Sequence, residues 1–300
     1  MAPQGFLNLY KPAGLTSHDC VAIVRKVLHT RKVGHAGTLD PAAMGVLPIA
    51  VGRATRFLSF LEGSKGYRAT FILGKSSSTD DLEGEIGVRD PCPHLTQAQV
   101  EAALASFVGT IQQMPPLYSA VRQQGQHLYE LARQGSRLPD LTVAPRRVTI
   151  ERLQVVGWRQ GDYPEVDLEI ACGTGTYIRA IARDLGEMLG SGGLMSQLIR
   201  CQSGAFCLTD SVPLASWRED PQPAAALLPI ADAFPHLGVV KLAEDLAVRW
   251  CYGQGIPWWD ESASGFVRVL AATSGIFLGL GQISEQRLLP VRVLENLGGH

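Results

Sequence analysis

In the stretch VGHAGTLDPAAMGVLPIAVG, residues 33–52, Asp40 is the single acidic side chain and His35 the only other ionisable one. Four glycines in that stretch let the backbone approach another molecule closely. A carboxylate there can be a turn residue, a cap, a metal ligand or a nucleophile. Pro41 pushes Asp40 out of the α region, so its side chain projects from extended backbone. Taken singly, Asp-Pro reads as a turn. Arg179 falls in the first turn of a helix expected over TYIRAIARDLGEMLG, where the helix dipole disfavours a cation. That misfit calls for a partner carboxylate. Tyr67 falls in GYRATFILG, a strand pattern in which an aromatic ordinarily packs against its neighbours.

Other chemistries find no support. The GKS at 74–76 lacks the glycine of a phosphate loop five positions earlier, where Ala69 stands. There is no G-x-S-x-G elbow and no pair of histidines at helix spacing, so a catalytic metal is not expected. The six cysteines, at 20, 92, 172, 201, 207 and 251, form no C-x-x-C and read as thiols of a reducing, cytoplasmic compartment. No apolar run reaches the roughly 18 residues of a membrane span. MAPQGFLNLYKPAG lacks the basic-then-apolar order of a secretory signal. The net charge of −1 argues against indiscriminate nucleic-acid binding. Yet residues 1–60 carry seven Lys/Arg against Asp19 and Asp40, while residues 210–261 carry eight acids against Arg218, Lys241 and Arg249. A basic N-terminal portion facing an anion fits that asymmetry, as does a plain solvated surface.

The 300 residues, 46% hydrophobic, suit one large domain or a large and a small one. TSHDCVAIVRKVLHT predicts a helix capped by Thr16 or Ser17, with Val21, Val24, Val27 and Leu28 as its stripe. A short helix is expected near RATRFLSFLE, and STDDLEGEIG reads as a polar connection. TQAQVEAALASFVG predicts a helix with a Thr96/Gln99 capping box, and HLYELARQG another ended by glycine. RRVTIERLQVVGW and EVDLEIACG read as neighbouring strands, and LMSQLIRCQSGAF as a further one. The proline- and alanine-rich stretch near 211–235 reads as a helical or irregular connector. The remainder has the short strands and glycine turns of a small β-barrel.

Four segments in order, GHAGTLDPAAMGVLPIAVGRATR, KGYRATFILG, PPLYSAVRQQGQHLYELARQG and GTGTYIRAIARDLGE, closely resemble the TruB family of tRNA pseudouridine-55 synthases. The likeness runs from LNLYKPAGLTS to the C-terminal barrel. It implies a mixed α/β (α+β) pseudouridine synthase fold with a central, mostly antiparallel sheet over residues 1–238. A PUA-like β-barrel over 239–300 would follow. It implies conversion of one uridine of the TΨC loop to pseudouridine, without cofactor or metal, by a protein that binds the T-arm and elbow of tRNA. A monomer without membrane contact is expected.

The resemblance also implies roles. Asp40 occupies the position of the family's required aspartate, either as nucleophile or as the carboxylate that promotes glycosidic cleavage. Arg179 matches the arginine that partners it. Tyr67 matches a tyrosine that stacks on the target base, which must leave the RNA stack to reach the carboxylate. Tyr177 and Leu198 match positions that close the pocket, and His35 one that inserts against the T loop. Lys11, Arg56 and Arg146 are expected phosphate contacts. Residues 114–145 resemble an RNA-gripping thumb, with Tyr118, Arg122, Tyr129 and Arg133. Ser78 stands where the family usually has aspartate, with Asp80 and Asp81 close behind. Two other readings compete: a tRNA-binding folding chaperone without chemistry, and a guide-RNA-dependent relative.

Overall fold

The computed structural model describes residues 2–61, 63–88, 90–119, 121–123, 126–128, 131, 143–220, 222–259 and 264–294. The chain begins with β1 (Gly5–Lys11), α1 (Ser17–Val27), β2 (Val33–His35), β3 (Met44–Val51) and β4 (Lys65–Leu73). The hairpin strands β5 (Lys75–Ser77) and β6 (Ile86–Val88) precede α2 (Gln97–Leu104) and β7 (Gly109–Gln113). Short strands β8 (Arg122–Gln123) and β9 (Gln126–His127) lead to β10 (Arg146–Arg159), β11 (Glu165–Cys172), α3 (Ile178–Met188) and β12 (Gly193–Ser203). Then come β13 (Phe206–Cys207), β14 (Val212–Pro213) and α4 (Leu214–Glu219). The last part holds β15 (Gly238–Leu242), α5 (Glu244–Cys251), β16 (Ile256–Pro257), β17 (Gly265–Ala271), β18 (Phe277–Ser284) and β19 (Arg287–Val293).

The expected mixed α/β fold with a mostly antiparallel sheet is what the chain adopts. The order across the large sheet is β14-β1-β3-β12-β4-β11-β10-β7, with β2 added on β3 and β13 on β12. Two of its pairings are parallel: β1 with β14, and β12 with β3 over Ile199–Met44 and Arg200–Gly45. Strand β4 is therefore central, with β12 on one side and β11 on the other. Its alternation, with Tyr67, Ala69, Phe71 and Leu73 buried, is that of a strand with one face on a core.

That core lies under α1, α2 and α3 and gathers Leu7, Val24, Phe71, Val100, Ile181 and Leu185. Both expected helix starts form as reciprocal caps: Thr16 with Asp19, and Thr96 with Gln99. Helix α3 approaches the start of β12 backbone to backbone at Gly186 and Gly193. A Cβ at Gly186 would strike the backbone of Gly192 and Gly193, and this close approach fixes the height of α3 over the sheet.

The opposite face of the sheet is aromatic. Phe57 packs 6.3 Å from Phe234 and 5.9 Å from Phe277 of β18, tying the C-terminal part to the large sheet. That part is a five-stranded sheet, β15-β17-β18-β19-β16, around a core with Trp250 of α5 at its centre. Two local expectations change. RATRFLSFLE folds as a 3-10 helix over Gly52–Phe60, and the polar STDDLEGEIG carries the β5–β6 hairpin turn and a buried aspartate. Of the helix expected at HLYELARQG, Leu128 and Leu131 are helical and the rest, with Tyr129 and Arg133, falls outside the described residues apart from His127 in β9; the side chain of Arg122 falls outside them too. Among the described residues no helix is long and apolar enough to cross a membrane.

Candidate active site

The Asp40 loop has little secondary structure of its own, so its shape is imposed from two sides. From the N-terminal segment, Lys11 Nζ donates to the Pro41 carbonyl at 3.0 Å, and the Gly14 amide donates to the same oxygen at 2.9 Å. Ser17 binds Leu39 both ways: its Oγ donates to the carbonyl at 3.1 Å and accepts from the amide at 2.9 Å. From the sheet, Arg200 donates to the carbonyls of Gly37 and Val46 at 3.0 and 2.7 Å. Arg200 is fully buried, and its hydroxyl neighbour is Tyr67. Backbone acceptors thus take up a guanidinium that meets no carboxylate among the described residues, as burial of a charge requires.

Helix α3 brings Arg179 to the other side of Asp40. Its Nε lies 3.0 Å from Asp40 Oδ2 and 3.5 Å from Asp81 Oδ2. Its two other nitrogens donate to the Thr79 carbonyl at 2.8 Å and the Tyr118 carbonyl at 3.0 Å. The misplaced cation of the sequence therefore has two carboxylates, one of them unforeseen. Asp81 is itself held by the Thr79 hydroxyl and the Glu83 amide. Tyr177, capping α3, is clamped by Gln113, whose side chain accepts from its amide at 2.8 Å and donates to its carbonyl at 3.0 Å.

Asp40, Tyr67, Arg179, Tyr177 and Leu198 all line one cavity of about 660 Å³. That is within the range of small-ligand pockets. Asp40 is 38% exposed at its edge, so the carboxylate is reachable. Tyr67 is 8% exposed, and burial raises its phenol above the usual value, which keeps it protonated. Among the described residues no group of three His, Cys, Asp or Glu side chains is placed to hold a metal ion.

His35 lines an adjoining cavity of about 360 Å³ rather than the one with Asp40. Its ring meets His18 edge-on at 5.6 Å, and burial, His18 and nearby cations lower its pKa, favouring the neutral imidazole. Arg56 and Arg146 are exposed, away from both cavities. The expectation for Lys11 is corrected. Its ammonium is fully buried, and its three donors go to the carbonyls of Pro12, Leu15 and Pro41. No donor remains for a phosphate. Ser78, the departure from the expected aspartate, is exposed and its Oγ accepts from the Glu85 amide at 3.1 Å. Asp80 and Asp81 supply the carboxylates this loop turns inward, to Arg183 and Arg179.

Sequence reading missed Arg200, Asp81 and Gln113. Arg200 had a signal: it stands two residues after Leu198 in β12, on the face that period two buries.

The comparisons with known proteins agree with this arrangement. Residues 25–178 match the model of the TruB family pseudouridylate synthase, N-terminal domain, and residues 238–294 that of pseudouridine synthase II TruB, C-terminal. The tRNA pseudouridine synthase B of Trichormus variabilis is 48% identical, over 97% of this chain and 99% of its own. That of Gloeobacter violaceus is 49% identical, over 98% and 100%. Among solved structures, a Cbf5-Nop10-Gar1 complex contains a chain that superposes with a TM-score of 0.72 at 25% identity, covering 97% of this chain and 84% of that one. An H/ACA RNP bound to a substrate RNA containing 2′-deoxyuridine gives 0.72 at 23%, covering 98% and 86%, a likeness of fold. With one family model spanning the Asp40 loop to the start of α3, and near-half identity along almost the whole length, the chain belongs to the TruB family of pseudouridine synthases.

Proposed function

We propose that this protein converts a uridine of tRNA, U55 in the T loop, to pseudouridine. The carrying observation is the Asp40–Arg179 ion pair at 3.0 Å, at the edge of a cavity that admits a nucleotide. The reaction is an isomerisation. The N1–C1′ bond breaks, a C5–C1′ bond forms, and C5 loses a proton while N1 gains one. Its atoms balance without a co-reactant, so neither cofactor nor metal is required.

In this reading Asp40 meets the ribose of the everted nucleotide. It either attacks as nucleophile or promotes cleavage of the glycosidic bond. Arg179 pairs with that carboxylate and fixes its direction. Tyr67 stacks on the uracil, with its hydroxyl steadied by Arg200. Tyr177 and Leu198 close the cavity around the base, and His35 meets the loop from which the base was drawn. Arg56 and Arg146, both exposed, contact phosphates. The chain divides in this reading into a catalytic part, 1–238, and a PUA-like part, 239–300; the change of sheet at β15 supports that division. The protein acts as a monomer in the cytoplasm.

The near-half identity to proteins named tRNA pseudouridine synthase B, against 25% to the Cbf5-containing complex, favours a tRNA substrate over a guide-dependent one. The test uses an unmodified tRNA transcript and the purified chain alone, with pseudouridine mapped chemically. Product at U55, and none on a transcript with cytidine there, is expected. A well-folded protein that binds the transcript and forms no product supports the chaperone reading.

A further inference from the structure

The cations around the Asp40 cavity divide into two kinds. Lys11, Arg179, Arg183 and Arg200 have their donors taken up by carbonyls or carboxylates of the protein. Lys65 does not. It lies in β4 two residues before Tyr67, hence on the same face of the sheet. Its side chain lines both the cavity with Asp40 and the adjoining one with His35. No hydrogen bond or ion pair engages its ammonium among the described residues. The neighbouring charge is a second cation, Arg200. Cys172, opposite Lys65 in β11, offers no counter-charge, since burial lifts its thiol to about 11.

Room for the ammonium is made by Gly37, with φ of +77°. A Cβ there would collide with Lys65 Nζ and lie 3.4 Å from Arg200 Nη1. The loop carrying Asp40 thus passes directly against an uncompensated cation. Burying a cation beside another cation is unfavourable unless an anion arrives with the ligand. The smaller cavity has no acidic residue in its lining. A nucleotide in the Asp40 cavity, on a strand that also meets His35, must carry its backbone across the boundary that Lys65 occupies.

We infer that Lys65 is a substrate-binding residue whose ammonium holds the phosphodiester adjoining the everted uridine. This deepens the proposed function and rests on it. Burial and the Arg200 charge bring the free Lys65 ammonium down to about 8, and a phosphate at hydrogen-bond distance restores its charge.

The test compares wild type, Lys65→Gln and Lys65→Arg on T-arm stem-loops carrying one neutral methylphosphonate at each phosphate in turn. Both the dissociation constant and the single-turnover rate are measured. On the all-phosphate RNA, Lys65→Gln weakens binding about tenfold and lowers the slope of log affinity against log salt by about one. One methylphosphonate beside the target uridine weakens wild type as much and adds nothing in Lys65→Gln. Lys65→Arg restores most of the affinity. Wild-type affinity for the all-phosphate RNA falls as pH passes about 8, and that fall is absent with the critical methylphosphonate. Losses that multiply at every flanking phosphate, or wild-type affinity in Lys65→Gln, overturn the assignment. If Lys65→Gln does not fold, the pH arm on wild type decides alone. Wild type that binds but forms no product sinks the proposed function only, because the binding comparison needs no turnover.

Discussion

Arg179 joins two carboxylates of unlike exposure: Asp40, 38% exposed at 3.0 Å, and Asp81, 5% exposed at 3.5 Å. Under the proposed function the guanidinium serves the fold through Asp81 and the chemistry through Asp40. Arg179→Ala should lower stability by about 3 kcal/mol, because a buried carboxylate loses its partner. Adding Asp81→Asn should restore much of that stability, measured by thermal or urea unfolding, without restoring pseudouridine formation. Recovery of both together would mean that Arg179 acts only on the fold.

Lys11 differs from the exposed cations proposed to meet RNA. Lys11→Met takes the lysine donor from the carbonyls of Pro12 and Leu15 and one of two donors from that of Pro41, and should destabilise by about 2–4 kcal/mol. The salt dependence of RNA binding by the folded variant should match wild type. Arg56→Gln and Arg146→Gln should do the reverse, with unfolding midpoints unchanged and salt slopes reduced by about one each.

Tyr67 and Arg200 make a buried pair across β4 and β12. Tyr67→Phe keeps the ring and removes the hydroxyl. It should lower stability by about 1 kcal/mol, since a buried guanidinium donor loses a neighbour. Burial keeps the phenol protonated, so the alkaline limb of the pH–rate profile should not move in this variant. A shifted limb would show that the phenol titrates during turnover.

Asp80 gives a pH signature of the fold. It is buried beside Arg183, which it meets at 3.0 Å, and burial raises its carboxyl from 3.8 to about 6. The folded pKa exceeds the unfolded one. Its contribution is therefore fully present below about pH 4 and lost as pH rises through about 6. Asp80→Asn should flatten the stability profile between those values and leave the variant relatively more stable above pH 6. Unfolding midpoints across that range provide the check, and parallel profiles for the two proteins would contradict it.

The sequence made one half of the site legible and hid the other. Asp40 and Arg179 were readable because each broke a local rule: a lone charge in an apolar loop, and a cation at a helix start. The caps of α1 and α2 were readable because both partners lie three residues apart. Asp81 and Lys11 were not, since a polar loop and a basic N-terminus both look solvated until the chain closes over them. Lys65 and Arg200 meet at Gly37 only because β4 pairs with β12, more than 120 residues on, and no local spacing encodes that register. The 3-10 helix at Gly52–Phe60 has the same origin, as Ala54 and Phe57 bury against the aromatic face of the sheet.

The account stands or falls on the carboxylate at position 40. Asp40→Asn is nearly isosteric, and its loop is held by Lys11, Ser17 and Arg200 rather than by its own side chain, so the variant should fold and bind a T-arm stem-loop as wild type does. The decisive measurement is its single-turnover yield of pseudouridine at saturating enzyme. The predicted result is a rate at least about 10³-fold below wild type with unchanged RNA affinity. Product at the wild-type rate from Asp40→Asn would contradict the central claim.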